Sequence, residues 1–381
     1  MPSILNSSGF PRTARPAIYT RIDASALAGG DVASGNIAIV GDFPNFQTST
    51  PALFSSRRAL SAYDASDLDL ELISQLAFSP SDDPATSGGA SSVRMVNARE
   101  NASQASLTIG PLTLKSRIWG PKGDRLQGTL TLVNTTYTLA LSRNGLTESF
   151  NVDNENLFSV TNGDANNALT VKIQDGVLTL IRDGVTLLTA TTAEAPDLAS
   201  AVQLMNAVAD VTATLIEPRQ IALDKVDSID QSIAATATHQ FKAPSFLILE
   251  ALSSSTLISS VTIDTSAGAA ALVAGSFSAS GGGMGNGFVY QSALASLENQ
   301  NVQIVVLFTE DATSQSFLPA HLTASATAGY ERQAYCAIAS TESLVNVKTR
   351  AVSLNNAGIA LTSQSIKLIT PRGKTETKSA K

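Results

Sequence analysis

Few side chains in this 381-residue sequence could carry covalent chemistry, and their spacing brings none of them together. The two histidines, His239 and His321, are far apart, and neither lies in an H-E-x-x-H run, so no two-histidine metal site is written locally. His321 stands beside Pro319 and Leu322 in a helical stretch and reads as a surface or hydrogen-bonded core histidine. The single cysteine, Cys336, sits among Tyr335, Ala337 and Ile338, the setting of a buried thiol with no base to activate it. Asp67, Asp69 and Glu71 imitate the start of a calcium loop, but its sixth and twelfth positions are Leu72 and Phe78 where Gly and Glu are needed. They read instead as the acidic first turns of a helix, favoured by its dipole. The glycine run at 280–287 (SGGGMGNG) contains neither G-x-G-x-x-G nor G-x-x-x-x-G-K-[ST], and reads as a flexible linker. No G-x-S-x-G elbow occurs. The expectation is a chain with no catalytic residue, no metal ligand and no cofactor.

Composition narrows the class. A formal charge of −7 disfavours nucleic acid as a partner, because phosphate affinity is carried by Lys and Arg. The most apolar small-residue run, 267–279, falls short of the roughly 20 residues that cross a bilayer. The first twenty-one residues interrupt any signal-like apolar core with Pro, Asn and Ser. These features suggest a cytoplasmically made protein with no nucleic-acid partner and no membrane insertion. With 43% apolar residues the chain can bury more than one core.

The elements that must position these residues fall into two styles. Near the start, NIAIVG (36–41) and SVRMV (92–96) read as buried strands, and helical spacing marks 54–63 and 68–78, the latter with Leu68, Leu72 and Leu76 on one side, Ile73 and Ala77 filling that same side, and Asp64 or Ser66 as caps. From 105 onward the turn dipeptides Asn144-Gly145, Asp175-Gly176 and Asp183-Gly184 separate alternating runs, the pattern of antiparallel hairpins. A helix is expected over 196–208 and strands over 246–252 and 257–263. After 288 the α/β rhythm returns. Helices are expected at 288–297, at 310–324 with a bend at Pro319, and at 342–354. Strands are expected at 302–308, 332–338, 357–361 and 365–369. The fold class is therefore a multidomain α+β or α/β protein, with a discontinuous mixed core built from both ends of the chain and an inserted antiparallel β-rich domain. The boundaries read as an arm (1–14), first core part (15–104), inserted protrusion (105–215), β-rich connecting segment (216–287), second core part (288–370) and basic tail (371–381).

Several segments, taken in order, resemble the tail sheath proteins of contractile-tailed phages. They are RPAIYTRIDASAL (15–27), NIAIVGDFPNF (36–46), LELISQLAFSPSD (70–82), GGASSVRMVNA (88–98), SQASLTI (103–109), LTLKSRIWGPKGDRLQGTLTL (112–132), NVQIVVLFTEDATSQSFLPAHL (301–322), ERQAYCAIA (331–339) and NNAGIALTSQSIKL (355–368). Sheath proteins usually continue past this last segment into a tube-facing C-terminal domain, whereas the sequence here stops at Lys381.

The resemblance implies a virion-tail protein, assembled in the host cytoplasm, whose main partners are copies of itself in a helical polymer. It also implies contacts with a tail tube protein and with baseplate and tail terminator proteins. In such polymers extended arms add strands to neighbouring subunits. The residues expected to act as inter-subunit arms are Arg15, Ile18, Tyr19 and Arg21 at the start, and Ile366, Lys367, Arg372 and Lys374 at the end. A β-rich surface adhesin or fibre protein would also explain the Thr/Ser-rich hairpins, and an α/β enzyme would explain the buried strand at 302–308. The adhesin should carry a secretion signal, and the enzyme a polar constellation at its strand ends.

Overall fold

A computed structural model describes residues 35–79, 89–337, 342–343, 345–349 and 359–362. The chain begins with strand β1 (Asn36–Gly41), β2 (Ala52–Phe54), helices α1 (Arg57–Ser61) and α2 (Leu68–Phe78), and β3 (Ser92–Asn97). It ends with α5 (Tyr290–Ala295), β18 (Ile304–Phe308), α6 (Ala312–Gln315), α7 (Leu318–Thr327), β19 (Gln333–Ala337) and β20 (Ile359–Thr362). These two ends form one six-stranded sheet in the order β2-β3-β1-β18-β19-β20. All of its pairings are parallel except β2 with β3. β1 lies beside β18 with Ala38 opposite Val305 and Ile39 opposite Val306.

Alternation along β1 explains why Ala38, Ile39 and Val40 are all buried. Ala38 and Val40 face a cluster with Tyr290, Leu294, Leu318 and Leu322, while Ile39 faces Phe46, Leu60, Leu70, Ile73 and Met95. Helices thus cover both faces. In α2 the structure selects one of two possible helical stripes. Of the expected side, Ile73 and Ala77 pack inward together with Leu70, whereas Leu68 is 75% and Leu76 43% exposed, so the Leu68, Leu72, Leu76 part of it points away from the sheet. The cap is Asp67, whose carboxylate accepts from the amides of Asp69 and Leu70; Asp64 instead holds the preceding turn by accepting from the Ser66 amide and hydroxyl.

Between the two ends come β4 (Gln104–Ile109), β5 (Leu112–Trp119), β6 (Gln127–Val133), β7 (Thr136–Arg143), β8 (Leu146–Asp153), β9 (Asn156–Asn162), β10 (Leu169–Gln174), β11 (Val177–Arg182), β12 (Val185–Ala190), α3 (Leu198–Met205), β13 (Val211–Leu215), β14 (Ile229–Ile233), β15 (Thr238–Lys242), α4 (Pro244–Leu252), β16 (Ile258–Ile263) and β17 (Gly275–Ser278). They build four small antiparallel sheets, β12-β11-β10-β14, β13-β9-β15, β16-β5-β4 and β17-β6-β7-β8, around one apolar cluster running from Ala105 to Ala279. At Asn144-Gly145 φ is +51° and +84°, as a primed hairpin turn requires, and the other two expected dipeptides share this geometry. β14, β15, β16 and β17, in the stretch read from sequence as connecting, pair with β10, β9, β5 and β6.

Two local readings are corrected. Residues 246–252 lie in helix α4, because Pro244 fits the first helical turn and the Asp227 carboxylate accepts from the Ser245 and Phe246 amides at 3.1 Å each. The stretch 310–324 breaks into α6 and α7 at Ser316–Phe317, and Pro319 opens α7 instead of bending a continuous helix. The strand expected at 365–369 lies outside the described residues, as does much of the helix expected at 342–354. No helix among the described residues is long and apolar enough to cross a membrane.

Candidate functional site: the neck between core and insertion

The polar side chains gather where the chain leaves the parallel sheet and where it returns. Residues 99–106 run out antiparallel to residues 280–288 running back, with bridges Arg99–Phe288, Ser103–Gly283 and Ser106–Ser280. The glycine run is one strand of this neck. The Ser103 amide donates to the Gly283 carbonyl at 2.9 Å, the Gly285 amide to the Glu100 carbonyl at 2.8 Å, and Ser106 and Ser280 exchange both bonds. Two further loop amides meet carboxylates: Gly282 donates to Asp124 at 2.8 Å and Gly287 to Glu100 at 3.1 Å. Both donors that a phosphate would want are thus engaged by groups of its own charge, so the loop is a fastening and not an anion cradle. Close approach explains the glycines, since a Cβ on Gly282 would fall 2.4 Å from the Gly120 carbonyl oxygen. The Arg99 guanidinium seals the end of the neck, pairing with Asp42 at 2.7 Å and lying 4.6 Å from the Phe288 ring centroid.

A second seam joins the α1–α2 turn to the insertion. Lys122 of the insertion pairs with Asp67 at 2.6 Å and approaches Asp64 at 3.8 Å, while Asn45 donates to both carboxylates. Asp64 is 1% exposed, so it depends on these partners. Arg143, also buried, reaches from the end of β7 to the carbonyls of Leu257 at 3.2 Å and Tyr63 at 3.4 Å. Tyr63 stacks on Phe46 with 4.5 Å between centroids, and its hydroxyl donates to the carbonyls of Asn45 and Arg117. Burial pushes the Tyr63 hydroxyl up to about 12, against the pull of Arg117 and Arg143, and burial lowers Arg143. Asp69 is raised by burial and by neighbouring Asp67. This arrangement fastens two bodies together and offers no nucleophile paired with a base.

The histidines and the cysteine are dispersed. His239 lies on β15 against Phe241, with ring centroids 4.7 Å apart. Cys336 is buried on β19 opposite Leu307. His321, 4% exposed on α7, faces Arg332, whose Nη1 lies 3.2 Å from the His321 Nε2. Arg332 also donates to the carbonyls of Leu297, Glu298 and Gln300 beyond α5. Burial and then the Arg332 charge lower His321 to about 4. Among the described residues no group of three or more His, Cys, Asp or Glu could hold a metal ion. The expected arm residues Arg15, Ile18, Tyr19, Arg21, Ile366, Lys367, Arg372 and Lys374 all lie outside the described residues. Sequence reasoning missed Lys122 and Arg143; the sole hint was that Arg143 closes the uncharged run 126–142 just before the Asn144-Gly145 turn.

No family model and no curated protein matches the chain. Among solved structures, a sheath tail protein from Desulfitobacterium hafniense is similar with a TM-score of 0.41 and 11% identity, over 91% of this chain and 56% of that one. A sheath tail protein from Listeria innocua is similar with a TM-score of 0.37 and 10% identity, over 82% of this chain and 50% of that one. The chain spans about half the length of these structures.

Proposed function

We propose that the chain is a structural subunit of a contractile tail sheath, polymerising helically with copies of itself around a tail tube protein. One observation carries the reading. Five of the strands in the segments that resemble sheath proteins lie toward opposite ends of the sequence, yet they are neighbours in a single sheet: NIAIVG as β1, SVRMVN as β3, IVVLF as β18, QAYCA as β19 and IALT as β20. The segments separated by the insertion thus act as one structural unit.

Identical subunits that meet through two different patches generate a helix that does not close, and hence a tube. Contraction is then a rigid-body rearrangement of subunits needing no nucleotide. The twofold fastening of the neck supports this, because the insertion would travel with the core. In this proposal the arms at 1–14 and 371–381, with Arg15, Ile18, Tyr19, Arg21, Ile366, Lys367, Arg372 and Lys374, join neighbouring subunits. Baseplate and tail terminator proteins cap the polymer, and the subunit is assembled in the host cytoplasm into a virion tail. Negative-stain electron microscopy of the purified, concentrated protein tests the reading: rings or tubes of regular width support it. A stable monomer that binds a small molecule in a cleft and turns it over contradicts it.

A further inference from the structure

The unexplained surface is the outward side of α2. Leu68, Leu72 and Leu76 follow one another at four-residue spacing, Leu68 and Leu76 being among the most exposed leucines of the core, and Asp69 and Glu71 flank them. Arg57 pairs with Glu71 at 2.8 Å. A helix that buries Leu70 and Ile73 has no need of a second apolar stripe, and in water three such leucines are an interaction surface.

Where the chain enters β1 indicates what covers it. The Ser91 amide donates to the Gly35 carbonyl at 2.9 Å, the Ala90 amide donates to the Ala77 carbonyl at 2.7 Å, and a Cβ on Gly89 would fall 2.1 Å from the Phe78 carbonyl oxygen. The first thirty-four residues therefore join the described fold beside the last turn of α2. Counting back from Gly35, Ile22 is within about 40 Å of extended chain, against about 16 Å for the full length of α2. The sequence over that reach, RPAIYTRIDASAL (15–27), places Ile18 and Tyr19 between Arg15 and Arg21, with Ile22 directly after Arg21. Apolar residues framed by cations complement leucines framed by carboxylates. Asp69, with its charge disfavoured by burial and by Asp67, gains most from a cation.

We propose that, in the unassembled subunit, the Leu68, Leu72, Leu76 face of α2 is the docking site for residues 15–27 of the same chain. Tethering raises the local concentration of the segment far above that of any free copy. The subunit thereby covers its own apolar stripe. This inference does not depend on the sheath reading.

Cross-linking in the full-length chain tests it. Cys336→Ala removes the native thiol, Ile18→Cys and Leu72→Cys supply a pair, and a short bis-maleimide is applied to dilute protein. The expected product is a link within one chain, identified by mass spectrometry after digestion, whose yield falls at least tenfold when Leu68→Asp and Leu76→Asp are added. Both leucines are exposed, so the melting curve of that variant should match its parent. No link, or a link whose yield ignores the aspartates, overturns the proposal. A link found only between differently tagged copies also overturns it, by making a second copy the occupant. Absence of tubes under the microscope would refute the sheath reading and leave the cross-link unchanged.

Discussion

Replacing His321 with Gln should relieve an acid sensitivity built into the core. The imidazole is 4% exposed, its Nε2 faces the Arg332 guanidinium at 3.2 Å, and its Nδ1 has no hydrogen-bond partner. Protonation would put a second cation against Arg332, and the folded value of about 4 lies below the ordinary 6.5. At 1.36 kcal/mol for each power of ten in proton affinity, that separation is worth at most about 3 kcal/mol. The unfolded chain binds this proton first as acid is added, so the histidine costs nothing above pH 6.5. Its cost grows as pH falls and is complete once the folded value is passed. Gln keeps an acceptor for Arg332 and cannot be charged. Urea unfolding of both proteins at a series of pH values between 7 and 4 should give similar stabilities at pH 7 and a widening advantage for His321→Gln below pH 6, reaching about 2 to 3 kcal/mol near pH 4. Parallel curves across the range would refute the argument, because carboxylates elsewhere affect both proteins alike.

Other perturbations address the neck. Lys122→Met leaves Asp64 and Asp67 facing each other without their cation and should destabilise by about 3 kcal/mol, read by urea unfolding, while Lys122→Arg should recover much of the loss. Gly282→Ala drives a Cβ into the Gly120 backbone and should cost about 1 to 3 kcal/mol, whereas Gly184→Ala, with open space around it but φ of +74°, should cost about 1 kcal/mol from backbone strain alone. Glu148 is raised by burial but more than compensated by hydrogen bonds from Ser255 and Thr256, leaving it below the usual carboxylate range. Its contribution is present above the unfolded value and lost as pH falls through the folded one, so Glu148→Gln should be less stable at pH 7 and converge with the parent in acid.

The parallel sheet was legible because its strands are short, β-branched-rich continuous apolar runs, as strands covered on both faces are; 36–41 and 302–308 are the clearest cases. The hairpin turns were legible because residues that accept positive φ are few. Reading failed where two patterns coexist in one segment. In α2 both Leu68, Leu72, Leu76 and Leu70, Ile73, Ala77 keep helical spacing, and the choice between them was made by Leu60 on the preceding helix and by Val93 and Met95 on β3. At 246–252 a run of seven residues, mostly apolar, suits a buried strand or a buried helix equally; Asp227, nineteen positions before Phe246, decided it by capping α4. The neck was least legible, because it exists only when Glu100, Asp124 and Lys122 meet partners from other parts of the chain. Glycines at 282 and 287 announced close packing but not what packs there.

The proposal that this chain associates with itself is tested most directly by sedimentation velocity on the 381-residue protein across a wide range of concentration. The account predicts a sedimentation coefficient that climbs with concentration into oligomers and polymers, and a marked loss of that climb when residues 1–14 are deleted with the melting temperature little changed. A single monomeric boundary at every concentration would contradict it.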